Sequence, residues 1–192
     1  MFRKFLKSLL SRSKYKTIMM MKYGIFLLAI LSIAMNGCES SKVADFNKSL
    51  ERSERKAFQI IVGKEGSENK KLKCLGKGDY KGAIAAVEQQ AVEFDSLIAN
   101  IRKLSTEGIR DGEPLKTASI AYYQSLKELH FFDRKEIEQQ SLIQTLKNEE
   151  RNTAQNTLIS LAREKKMLYN KVYEKEALLQ TATENFNAAN GF

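Results

Sequence analysis

From Leu115 to Asn190 the chain contains neither glycine nor proline. A run of that length, rich in Glu, Lys, Gln, Leu and Ala, holds nothing that interrupts a helix and little that disfavours one, so it is read as helical. It is too long for one helix of a compact domain. Lys147-Asn148-Glu149-Glu150-Arg151-Asn152 has no apolar residue and two asparagines, which predicts a break between Leu146 and Thr153. Before the break Leu115, Tyr122, Leu126, Leu129 and Ile137 share one helical face; after it Leu158, Leu161, Leu168, Val172, Leu179, Ala182 and Phe186 share another. A hairpin of two helices follows. The alternative, one continuous coiled helix, would need a partner chain along its whole length.

The preceding sequence divides at its glycines. Ser40 to Val62 carries Val43, Phe46, Leu50, Ala57, Ile60 and Ile61 at three- and four-residue intervals, a first helix. Gly63 to Gly78 holds four glycines and five lysines with only Leu72 and Leu75 as apolar anchors. It reads as a loop with at most a short turn. Asp79 is placed to cap the next helix by accepting from a free backbone amide. Tyr80, Ile84, Val87, Ala91, Phe94, Ile98 and Ile101 then alternate by four and three, the seam of a bundle helix. Gly78-Asp79-Tyr80 with Ala83-Ile84 is similar to the opening of the second helix of a tetratricopeptide repeat, but no second copy follows at the spacing such arrays require.

Ser105 to Pro114 makes the next connection, with Gly108, Gly112 and the only proline, which fits the first turn of a helix. Gly191 is placed to cap the last helix. No alternating β-branched run bounded by turns is present. The expected fold is all-α, an up-and-down antiparallel bundle of about four helices.

The N-terminal stretch is of a different kind. Lys22 is followed by an apolar run from Ile25 to Met35 and then by Asn36-Gly37-Cys38. As a helix this run rises only about 20 Å against a hydrocarbon core of about 30 Å, so it suits a secretory signal better than a membrane span. Leu31-Ser32-Ile33-Ala34-Met35-Asn36-Gly37-Cys38 resembles the lipobox of bacterial lipoprotein precursors, with Met35 and Asn36 where that family more often has leucine and a small residue. The resemblance implies cleavage between Gly37 and Cys38, diacylglycerol on the Cys38 sulfur, and N-acylation, with palmitate, of the new terminus. It further implies a bilayer as partner and a place in the cell envelope. Aspartate after the cysteine retains enteric lipoproteins in the inner membrane, and Glu39 stands there instead, so the resemblance points to the periplasmic face of the outer membrane, with the inner membrane as the alternative. Residues 1–37 would then be signal, 38–78 a lipidated tether with the first helix and loop, and 79–192 the bundle core. Met19, Met20 and Met21 offer a start that gives a signal of ordinary proportions, while Arg3, Lys4, Lys7, Arg12, Lys14 and Lys16 with Phe2, Phe5, Leu6, Leu9 and Leu10 could instead form an amphipathic arm.

The signal changes what the charge means. The whole chain carries +9, yet seven of its 32 basic residues and none of its 23 acids precede Cys38. The rest has 25 basic residues against 23 acidic, a net +2, and no basic patch with interleaved aromatics, so nucleic acid is not an expected partner.

Catalytic chemistry finds few residues. His130 is the only histidine, one turn before Asp133, which could orient it as a general base. A di-iron bundle needs two Glu-x-x-His pairs, a serine triad needs its nucleophile turn, and neither is present. Cys74 lies among Lys70, Lys71, Lys73 and Lys77, a setting that can activate a thiol; a thioether at Cys38 would leave it no disulfide partner. His130, Tyr122, Tyr123, Phe131 and Phe132 are read as packing residues, and Glu136, Glu138, Glu149 and Glu150 as members of solvated faces. No metal and no cofactor is implied. The sequence therefore favours a non-catalytic, membrane-anchored protein-binding or scaffold module. A coiled-coil self-assembler of the envelope and a periplasmic helical chaperone are its alternatives.

Overall fold

The structure, a computed structural model, describes residues 41–192. The expected signal segment, the candidate starts and the expected Gly37-Cys38 cleavage site lie outside the described residues. Residues 44–192 form one compact unit. Five helices follow one another: α1 (41–62), α2 (Ser67–Gly76), α3 (Tyr80–Arg102), α4 (Gly112–Thr145) and α5 (Asn148–Asn190). No strand occurs among the described residues.

The four long helices form the expected all-α bundle. Ion pairs record their directions. Asp95 of α3 meets Lys127 of α4 at 2.6 Å and Glu88 meets Arg134 at 3.1 Å, so these helices run antiparallel. Glu128 of α4 meets Lys171 of α5 at 2.5 Å and Glu136 meets Lys165 at 2.5 Å, again antiparallel. Phe46 of α1 lies 5.7 Å from Phe186 near the end of α5, while Ala57 and Ile60 join Phe94, Leu126 and Val172 in the main core. α1 therefore runs against α5 and alongside α4. Phe94 and Phe186 are wholly buried, and truncating a phenylalanine so placed to alanine costs about 3–5 kcal/mol.

The expected local signals operate. Asp79 Oδ1 accepts from Gly82 N at 2.8 Å, Pro114 lies in the first turn of α4, and Gly191 closes α5 at φ +78° with its N–H donating to Asn187 O. The hairpin between α4 and α5 forms at Leu146–Lys147, at the start of the expected interval. Asn148 turns the chain at φ +53°, and the apolar-free stretch behind it becomes the first turns of α5. Asparagine tolerates that left-handed conformation better than most residues.

The Gly63–Gly78 loop is corrected: α2 occupies ten residues of it. Apolar periodicity cannot show this helix, because Leu72 is exposed and the residues it buries are Ser67 and Lys71. It packs antiparallel on α3, Ser67 Oγ donating to Glu93 at 2.8 Å while Cys74 lies over Gly82 at the other end. Gly66 starts it in a space without room for a side chain: a Cβ there would stand 2.2 Å from Gln59 O and 2.7 Å from Ile60 O.

Candidate functional site

Two concave sites emerge among the described residues. The first is polar and lies where α2, α4 and α5 meet, beside a cavity of about 300 Å³. Lys71 of α2, buried, donates to Asp133 of α4 and pairs with Glu68 at 2.6 Å. Lys165 of α5 grips the other Asp133 oxygen at 2.6 Å and Glu136 at 2.5 Å. His130 Nδ1 lies 3.2 Å from Glu68 Oε2, and Gln90 Nε2 donates to the same oxygen at 3.1 Å. An ionised carboxylate can only accept, so His130 carries its proton on Nδ1. Its ring stacks on Phe94 at 6.1 Å.

Their partners hold Glu68 and Lys165 in their ionised forms. Burial pushes the Glu68 carboxyl up, but the hydrogen bond from His130 and the contact with Lys71 outweigh it and set the group at about 2, below its ordinary 4.5. Burial pushes Lys165 down, and its bonds to Asp133 and Glu136 outweigh that, raising it to about 12. Gln90 Oε1 has no hydrogen bond among the described residues.

Glu68, His130 and Asp133 bring three potential ligand atoms within 4.8 Å of one another. The donor set does not fit a metal, because Lys71 already places an ammonium against both carboxylates, and a dication would have to displace it. His130 with Glu68 is an oriented imidazole, the pairing a general base uses, but the sequence expected Asp133 in that role. Asp133 is instead held by the two lysines. Cys74 is not brought to His130: its sulfur faces Gly82, and it packs with Leu75 and Tyr80 against Ala83, Val87 and Ile137. Glu136, expected on a solvated face, is half-buried against Lys165, and Phe131, expected in the core, is exposed while Phe132 is buried.

The second site is larger, a groove of about 560 Å³ between α1, α4 and α5. α4 supplies its floor through Leu115, Tyr122, Tyr123 and Leu126. α1 and α5 supply its walls, where Glu51, Glu54 and Glu176 stand among apolar neighbours. Phe58 and Val62 of α1 line it while being 62% and 60% exposed, so an apolar lip faces solvent. The Tyr122 and Tyr123 rings are 5.3 Å apart, and burial, with Glu54 nearby, pushes both hydroxyls above their usual range.

The sequence pointed to neither the groove nor Glu68. Spacing places residues on one helix's face; the groove is lined by residues of three helices together, and Glu68 sits on a helix with no apolar signature. Among the described residues no helix is long and apolar enough to cross a membrane. The fold and sites define a helical bundle with one polar cluster of internally paired charges and one open apolar groove. No known protein family, curated protein or solved structure matches the chain.

Proposed function

We propose that the protein is a lipid-anchored, non-catalytic binding module of the cell envelope, held at the periplasmic face of the outer membrane by acyl chains on Cys38 and presenting its bundle to a protein partner. The observation that supports binding is the groove between α1, α4 and α5, with Phe58 and Val62 exposed at its lip. A concave, mostly apolar site of this volume with a few polar groups is the usual form of a binding site. The polar cluster, in contrast, spends its charges on one another.

The Gly37-Cys38 pair supports the anchor. Asn47, the first residue of the groove, lies nine positions after Cys38, a span of about 30 Å even when fully extended. Anchoring thus keeps the groove close to the bilayer and concentrates it against membrane-held partners. Two acyl signals make such attachment firm where one would be marginal.

The test is in-cell photocrosslinking with benzoylphenylalanine at Phe58, in the groove, and at Val92, an exposed residue of α3. The expected result is an adduct to a discrete protein in wild-type background that is lost with Cys38→Ala. No adduct from either position would overturn the proposal.

A further inference from the structure

The groove's partner can be given a chemistry. Its lining on α1 runs from Asn47 to Val62, about 22 Å or four helical turns, and its floor on α4 from Leu115 to Leu126, about 17 Å. A trough of that length, with helices for walls and an apolar floor, has the dimensions of a docked helix rather than of a compact small molecule.

Charge narrows the choice. Every charged side chain lining the groove is a carboxylate: Glu51 and Glu54 on one wall and Glu176 on the other. Glu51 has Arg55 at 3.6 Å, on exposed surface. Glu54 and Glu176 form no ion pair with any described residue, although the unit is otherwise laced with Glu–Lys and Asp–Lys bridges. Like charges facing each other across an apolar floor raise the energy of the empty groove and favour an occupant that brings positive charge. The same carboxylates repel anionic headgroups, which disfavours a lipid surface as the occupant. We propose that the groove between α1, α4 and α5 receives a basic amphipathic helix of a protein partner, its apolar face on Leu115, Tyr122, Tyr123 and Leu126 and its lysines or arginines at Glu54 and Glu176.

This deepens the binding-module reading and rests on it. Tyr122 and Tyr123 keep their protons, because burial and the nearby carboxylates oppose ionisation, so each hydroxyl can donate as well as accept at the groove floor.

The experiment uses the full chain, solubilised in a non-ionic detergent and carrying benzoylphenylalanine at Phe58 or at Val92. The probe is a labelled amphipathic peptide of leucine and lysine, about 14 residues long to match the groove, with a leucine–glutamate peptide of the same pattern as control. The lysine peptide is expected to crosslink saturably from position 58 and not from 92. Its affinity should fall about tenfold in the Glu54→Gln, Glu176→Gln double variant and should weaken as salt rises from about 50 to about 500 mM. Both substituted residues are exposed, and an unchanged circular-dichroism melt verifies that the variant is folded.

Equal crosslinking of both peptides, indifference to the double substitution, or labelling from 92 alone would overturn the assignment. So would a crosslinked dimer from position 58 without peptide, which gives the groove to a second copy of the chain. If the peptide ignores the groove while Cys38-dependent adducts form in cells at position 92, the groove's assignment fails and the binding module stands. If the peptide binds but no adduct forms in cells, the module fails and the groove's chemistry stands.

Discussion

Lys71 shows what a single side chain does in this bundle. It is the only basic residue of α2 that is buried, and its ammonium lies between Glu68 and Asp133. Removing one member of a buried charge set leaves its partners desolvated and unpaired. Lys71→Met is therefore expected to cost about 3 kcal/mol, read as a lower urea midpoint; an unchanged midpoint would contradict the account. Glu68 predicts the acid side. Its folded-state value near 2 lies below its ordinary 4.5, so its contribution is complete above about 4.5 and is lost as pH falls through 2. Glu68→Gln should accordingly flatten the decline of the urea midpoint over that window, and a decline parallel to wild type would count against the pairing. His130 was legible in part: its spacing gave a packing residue with a carboxylate in reach, and the stacking on Phe94 agrees. The partner was not legible, because Glu68 is 62 positions away on a helix whose buried face is polar.

At the scale of elements, local chemistry was legible and non-local chemistry was not. Asp79, Pro114 and Gly191 act on backbone within a turn of themselves, so their roles can be read from neighbours in the sequence. The long helices announce themselves in the same way: Phe94, Ile98, Ile101, Leu126, Val172 and Phe186 are all buried, as their spacing predicts. α2 escaped because it is held by Ser67–Glu93 and Lys71–Asp133 rather than by an apolar stripe. The hairpin turn falls within the interval its composition predicts, at its start, where backbone conformation at one asparagine sets it. Asn148 holds φ +53°, where a β-branched residue is strongly disfavoured. Asn148→Val should cost about 1 kcal/mol in a thermal melt, whereas Asn148→Gly should cost little. Equal effects of the two would show that the turn does not depend on this conformation.

On the proposed reading, the whole molecule joins an anchoring signal to a bundle with an open, acidic groove. The bundle is a matter of packing and was legible from periodicity; the groove is lined by residues of α1, α4 and α5 together, which no single helix's spacing can show. The proposed attachment through Cys38 would confine a modest binding surface to the layer where its partner would be. Growth with radioactive palmitate, followed by isolation of the full chain and of its Cys38→Ala variant, tests that attachment most directly. The account predicts label on the wild-type protein in the membrane fraction and none on the variant. A wild-type protein without label, or a variant labelled equally, would contradict it.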